Sequence, residues 1–81
     1  MNSGEAFGHV LRRKRKAAGL TQEQLALTAG VERVFVSWLE TGKNQPTFQT
    51  IYKLAQALNC APGSLVDEAA ALLDADDSRS S

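Results

Sequence analysis

The chain has 81 residues, of which 43% are hydrophobic and 22% charged, and its formal net charge is zero. This length fits one small globular domain, and no apolar run approaches the roughly 20 residues of a membrane span. A single cysteine and a single histidine exclude an internal disulfide and a four-ligand zinc site. The first five residues lack the basic and apolar segments of a signal peptide, so we expect a cytoplasmic protein. We also expect no cofactor.

The zero net charge hides an uneven distribution. Residues 1–60 carry eight Lys and Arg against four Asp and Glu, a net charge of +4. Residues 61–81 carry one Arg against five Asp and Glu, a net charge of −4. This pattern fits a body that faces a polyanion and an end that faces elsewhere. It also fits the simpler interpretation of a solvated basic face and a solvated acidic tail, which the charge alone favours.

The hydrophobic spacing predicts short helices, and no segment shows the sustained alternation of a strand. The first helix is expected over residues 5–18, ending before Gly19. Thr21 opens the second helix, because Thr21 and Gln24 have the spacing of a capping box. Gly30 ends this helix after about eight residues.

Three further helices complete the expected fold. The third spans residues 33–41 and buries Val36 and Leu39. The fourth follows Pro46 with Thr47 as its N-cap, and Pro62 suits the first turn of the fifth. We therefore expect a compact all-α, five-helix domain over residues 1–74. A disordered tail of Asp and Ser residues is expected over residues 75–81.

Residues 20–46 contain the motif with the strongest functional implication. Two short helices are joined there by a tight turn at Gly30, as a helix-turn-helix requires. The segments TQEQLA (21–26), AGV (29–31) and VSWLETGKNQPT (36–47) resemble the phage repressor and Cro-type (Xre-like) DNA-binding family. The resemblance extends over residues 5–66. Residues 33–47 are also similar to the subgroup of small controller proteins of restriction–modification systems.

This resemblance implies a repressor-type domain whose helix-turn-helix is formed by helices 2 and 3, with helix 3 in the DNA major groove. Carried over position by position, it places Gln22, Arg33, Val34 and Trp38 at base-contact positions. Ser37 lies on the same outward face, and Glu32 and Phe35 match positions close to the duplex. Lys43 and Asn44 match positions that contact the DNA backbone.

The chemistry of these side chains suits such roles to different degrees. Arg33 can form a bidentate pair with guanine, although a phosphate contact is the alternative. Gln22 begins a helix, where free N–H groups favour a phosphate. Val34 has no polar group and would only contact a thymine methyl.

Two positions depart from the family pattern. Trp38 stands where a polar or basic residue is commoner. It would pack on sugars and thymine methyls, or cover the edge of the core beside Phe35. Glu32 is a poor N-cap for the third helix. Its negative charge would interact favourably with the positive end of the helix dipole. The alternative is that it accepts a hydrogen bond from cytosine.

Glu40 is expected to have a structural role. It lies among apolar neighbours, and a buried carboxylate needs a partner. Arg15 is its matching partner in the resembled family, so we predict an Arg15–Glu40 salt bridge that holds the first helix against the third. The basic run 12–16 covers more than one helical turn. Within it, Arg12 and Lys16 are the candidates for contacts with flanking phosphates.

The last helix has more apolar surface than one face requires. One stripe would pack on the core and another on a second subunit, because many short members of the resembled family dimerise near this helix. The predicted dimer-interface residues are Leu65, Val66, Ala69, Ala70 and Leu73.

These observations predict a non-enzymatic, sequence-specific transcriptional regulator. It would bind double-stranded DNA as a homodimer on an inverted repeat, on the nucleoid, with RNA polymerase as a further partner. The alternative is an antitoxin-like or adaptor-like module that binds a partner protein through its helix-turn-helix.

Overall fold

A computed structural model describes the backbone of residues 1–80 and the side chains of residues 1–77. Five α-helices follow one another along the chain: α1 (Ser3–Ala17), α2 (Gln22–Ala29), α3 (Arg33–Glu40), α4 (Phe48–Ala57) and α5 (Pro62–Ser80). No strand occurs within the described residues. The predicted all-α, five-helix class is therefore confirmed.

Side-chain caps determine where the helices begin. Asn2 accepts a hydrogen bond from the Glu5 amide at 2.8 Å, and this capping box starts α1 two residues earlier than predicted. Thr21 and Gln24 form the predicted capping box of α2, with bonds of 3.0 and 2.8 Å. Thr47 caps α4 by accepting from the Thr50 amide at 3.2 Å.

The turn between α2 and α3 depends on Gly30. This residue has φ of 73°, a left-handed conformation that side chains disfavour. The Val31 amide then donates to the Ala26 carbonyl at 3.0 Å, which satisfies a carbonyl at the end of α2. The chain thus reverses within three residues and brings α3 across α2.

The core lies where all five helices meet. Helix α1 packs against α3 and α5, α2 packs against α3 and α4, and α4 packs against α5. The largest fully buried side chains of the core are Val10, Leu11, Leu25, Val36, Leu39, Leu54 and Leu65. Every helix contributes at least one of them, so the helix-turn-helix is anchored to the rest of the domain rather than standing apart. Among the described residues, no helix combines the length and apolarity needed to cross a membrane.

Gly8 allows α1 to approach the end of α3 closely. A Cβ atom at this position would lie 2.4 Å from the Leu39 carbonyl oxygen and 2.7 Å from that of Glu40. Both neighbours are backbone atoms, so they cannot swing aside. The absence of a side chain at Gly8 therefore helps to place Glu40 beside α1.

The C-terminal end differs from the sequence prediction. Helix α5 continues to Ser80, although a disordered tail was expected over residues 75–81. The alanines and leucines of residues 69–75 are strong helix formers. Asp76 also forms an ion pair of 2.7 Å with the Met1 amino group, which ties this turn to α1. Ser81 lies outside the described residues.

Glu68 joins α5 to the basic run of α1. Its carboxylate lies 2.8 Å from Lys14 Nζ and 2.7 Å from Arg13 Nη2. Hydrogen bonds from Lys14 and then Arg13 lower the pKa of Glu68 below its usual value of 4.5. Because the folded state binds this proton less readily, the pairs stabilise the fold above pH 4.5 and lose their effect as the pH falls through the lowered pKa.

Replacing Glu68 with glutamine tests this linkage. We expect the wild type to exceed Glu68→Gln in unfolding free energy by up to about 1 kcal/mol at pH 7, the size of an exposed ion pair. The difference should vanish in acid, once the lowered pKa has been passed. Urea unfolding of both proteins between pH 2 and pH 7 measures it. A difference that does not change with pH would contradict the prediction.

Candidate nucleic-acid interface

Helix α3 presents an outward face that contains several of the predicted contact residues. Arg33 is exposed, and Val34 and Trp38 are 43% and 44% exposed. Ser37 is half-buried. On the opposite face, Val36 and Leu39 are fully buried. The helix therefore has one face fixed in the core and one free for a ligand.

The two aromatic residues of α3 have different surroundings. Phe35 is half-buried and packs against the core. Trp38 keeps 44% of its surface exposed. Of the two predicted roles for Trp38, an outward contact fits this exposure better than a cover for the core edge, which Phe35 provides.

Gln22 and Arg33 are brought together although they lie on different helices. Both line an open cleft of about 410 Å³ at the N-terminal end of α2, together with Arg15, Thr21 and Glu23. The free N–H groups of a helix N-terminus favour an anion, and Arg33 adds a positive charge. The cleft thus combines donors from a backbone end, an amide and a guanidinium.

A largely buried ion pair forms part of the wall of this cleft. Arg15 Nε is 2.6 Å from Glu40 Oε2, and Arg15 Nη2 is 3.0 Å from Glu40 Oε1. Arg15 Nη1 also donates to the Leu20 carbonyl at 2.8 Å. The Glu40 side chain is only 3% exposed, and its hydrogen bond raises the pKa of Arg15. The pair expected from the sequence is present, and it links α1, the loop before α2, and the end of α3.

One contact of this network was not predicted from the sequence. Gln22 Nε2 donates to Glu40 Oε1 at 3.1 Å, so the proposed DNA-contacting amide is bonded to the buried carboxylate. The two residues are 18 positions apart, and their contact depends on how α3 crosses α2. No periodicity or local motif signals such a contact.

The remaining predicted contacts lie at the other end of α3. Lys43 is exposed and Asn44 is half-buried in the loop that connects α3 with α4. The Lys43 amide donates to the Trp38 carbonyl at 3.0 Å, which holds the start of this loop against the helix end. Candidate contacts therefore flank both ends of α3.

The basic run of α1 is divided by its ion pairs. Arg13 and Lys14 are paired with Glu68, although Arg13 remains exposed. Arg12 and Lys16 are exposed and form no ion pair with the described residues. Arg15 is buried with Glu40. Arg12 and Lys16 thus remain the candidates for phosphate contacts, as the sequence predicts.

The predicted dimer face needs a correction. Leu65 is fully buried and Ala69 is 8% exposed, so both belong to the core of the chain itself. Helical periodicity explains this, because residues 65, 69 and 72 share the face that packs on the bundle. Val66 is 47% exposed and Ala70 is exposed, which leaves them available. With Leu73 they border an apolar groove of about 220 Å³, whose lining also includes Phe7, Pro46 and Ile51.

Comparison with known proteins agrees with this architecture. The HTH_3 family model, described as helix-turn-helix, matches residues 11–65. The HTH-type transcriptional regulator y4dJ of Sinorhizobium fredii (strain NGR234), itself uncharacterised, is 38% identical over 66 residues. This match covers 82% of the present chain and 86% of the relative.

Solved structures show the same similarity. The restriction–modification controller protein C.AhdI from Aeromonas hydrophila is 40% identical with a TM-score of 0.75, covering 76% of this chain and 94% of that one. The DNA-binding domain of the P22 C2 repressor is 30% identical with a TM-score of 0.74, covering 82% and 86%. The chain therefore belongs to the HTH_3 helix-turn-helix family of transcriptional regulators.

Proposed function

We propose that this protein is a sequence-specific DNA-binding regulator, not an enzyme, with α3 in the major groove. The observation that carries the proposal is the outward face of α3, where Arg33, Val34 and Trp38 are exposed. Arg33 also shares a cleft with Gln22. A recognition helix reads base edges from its N-terminal residues while the preceding helix crosses the backbone. Arg33 is the first residue of α3, and Gln22 is the first residue of α2.

Each candidate contact then has a defined task. Arg33 would donate two hydrogen bonds to guanine, and Val34 would contact a thymine methyl. Gln22, Lys43 and Asn44 would hold the DNA backbone on both sides of the groove. Ser37 and Trp38 would face the groove further along the helix, with Phe35 supporting them from the core.

A homodimer is part of the proposal. The apolar groove beside α5 is bordered by the exposed Val66 and Ala70 and the half-buried Leu73. Phe48, which is 77% exposed, lies one helical turn before the groove residue Ile51. A two-fold arrangement would cover the same patch on both copies. Such a dimer reads two half-sites about 10 bp apart on an inverted repeat.

A charge in the groove should prevent this dimer from forming. We expect Val66→Glu to be monomeric at concentrations where the wild type is dimeric, because pairing would bury a carboxylate without a partner. Light scattering after gel filtration gives the mass. Leu27→Glu is the matched control, since Leu27 is 76% exposed on α2 and should leave the dimer intact. A Val66→Glu variant that stays dimeric would refute this interface.

Selection of binding sites from a random duplex pool tests the function. We expect enrichment of an inverted repeat with guanine at the position that Arg33 faces. The affinity for this site should fall steeply with salt, because phosphate contacts release counterions. A pool without enrichment, and only weak binding, would contradict the proposal.

Binding on nucleoid DNA in the cytoplasm follows from the proposed function. Whether the regulator blocks RNA polymerase or contacts it depends on the operator's position.

One observation favours a second function, that of a protein-interaction module. Leu27 and Val34 are exposed beside a cleft of about 460 Å³ between α2 and α3. The lining combines apolar side chains with the charged Glu23, Glu32 and Arg33. A protein segment with both apolar and polar side chains would fit this cleft, and its binding would depend less steeply on salt than binding to a polyanion. The salt dependence of binding therefore separates the two functions.

A further inference from the structure

We infer that Glu40 is a positioning residue for DNA recognition, in addition to its ion pair with Arg15. The inference rests on the proposed function. Its basis is the hydrogen bond of 3.1 Å from Gln22 Nε2 to Glu40 Oε1. The buried carboxylate thereby contacts the side chain of Gln22, which is the first residue of α2 and lines the cleft.

The accepting oxygen is held in place from behind. Arg15 bonds both oxygens of Glu40, at 2.6 and 3.0 Å, which prevents the carboxylate from rotating. Arg15 is itself held by the Leu20 carbonyl at 2.8 Å. The Gln22 amide is therefore held in place by buried groups of α1 and α3, not by solvent.

The charge of Glu40 also fixes which way the amide points. A flipped amide would bring the Gln22 carbonyl oxygen against a carboxylate oxygen, with no hydrogen between the two acceptors. The nitrogen must therefore face Glu40. The carbonyl oxygen then remains as an acceptor and the second N–H as a donor, on a side chain that lines the cleft together with Arg33.

This arrangement should make DNA binding tighter and help to fix the register of the protein on the duplex. A glutamine side chain that is ordered before binding loses less conformational freedom when it meets its ligand. It also offers one donor and one acceptor in fixed places beside Arg33, instead of two interchangeable ones. Glu40 would thus influence recognition without touching DNA.

A double-mutant cycle on DNA affinity tests the inference. Wild type, Gln22→Ala, Glu40→Gln and the double variant are titrated by fluorescence anisotropy with the selected duplex, below the melting temperature of each. We expect Glu40→Gln to weaken binding about tenfold when Gln22 is present, the effect of one positioned hydrogen bond, and less than about twofold when Ala replaces it. Equal losses in both backgrounds would overturn the inference alone. A wild type that binds no duplex would overturn the proposed function, and the positioning role with it.

A second measurement does not depend on DNA or on the stability of a Glu40 variant. Gln22→Glu places a carboxylate against Glu40, whereas the control Gln24→Glu adds the same charge to the same helix end without facing it. An acid in this turn is otherwise favourable. Gln24→Glu keeps the capping box with Thr21, because glutamate also fits this position. We expect Gln22→Glu to melt about 5 °C below both the wild type and Gln24→Glu at pH 7. Equal melting temperatures would overturn the contact on which the inference depends.

Discussion

Replacing Glu40 with alanine should destabilise the fold by about 3–5 kcal/mol. The variant leaves the Arg15 guanidinium, on a residue only 9% exposed, without its carboxylate and with the Leu20 carbonyl as its remaining acceptor. For a domain of this size, a loss of that magnitude lowers the melting temperature by more than about 12 °C. Thermal unfolding followed by circular dichroism measures the effect.

Two variants separate the buried charge from other causes. Glu68→Ala removes an exposed carboxylate that is also paired, and we expect a loss below about 1 kcal/mol. The double variant Arg15→Met with Glu40→Leu removes both charges and should regain most of the stability, because no orphaned charge remains. If Glu40→Ala and Glu68→Ala melted at the same temperature, the structural importance of the buried pair would be refuted.

Replacing Arg33 with alanine should weaken binding to the selected operator by about 1–3 kcal/mol. The guanidinium is exposed at the start of α3, so its loss should leave the fold intact. The affinity for a site with another base at the Arg33 position should change less, since the lost bonds are specific to guanine. Titrations with both duplexes at one salt concentration measure the two affinities.

Lys53 provides the matched control for Arg33. Lys53→Ala removes one positive charge from α4, a helix that the proposal does not place in the groove. Its effect should be small and equal for both duplexes. If Arg33→Ala also weakened both duplexes equally, Arg33 would act through charge alone and would not read a base.

The sequence predicted those parts of the fold that depend on neighbouring residues. Thr21 and Thr47 cap helices because their hydroxyls reach amides three residues away. Asn59 adopts a left-handed conformation after α4, with φ of 59°, which asparagine tolerates better than most residues. The Arg15–Glu40 pair was reached differently, through the resemblance to a family whose members share it.

Other features depend on the packing of distant segments. The contact between Gln22 and Glu40 exists because α3 crosses α2 at one angle, which single-residue patterns do not encode. Glu68 meets α1 across 55 positions, although the charge distribution alone favoured a solvated acidic tail. The length of α5 was underestimated because the aspartates near its end favoured a disordered tail, although helix-forming alanines precede them.

The ion pairs of Glu68 alter how many positive charges of the protein are free to displace counterions from DNA. The run of residues 12–16 has five positive charges, but Arg13 and Lys14 already have a carboxylate partner and Arg15 is buried with another. Each phosphate neutralised adds about 0.9 to the slope of log affinity against log salt. Only Arg12 and Lys16 of this run are exposed without such an interhelical pair, so α1 would add about 2 to that slope and not 5. Under the proposed function, the ionic strength at which the regulator leaves DNA would thus depend partly on Glu68, a residue outside the proposed DNA contacts.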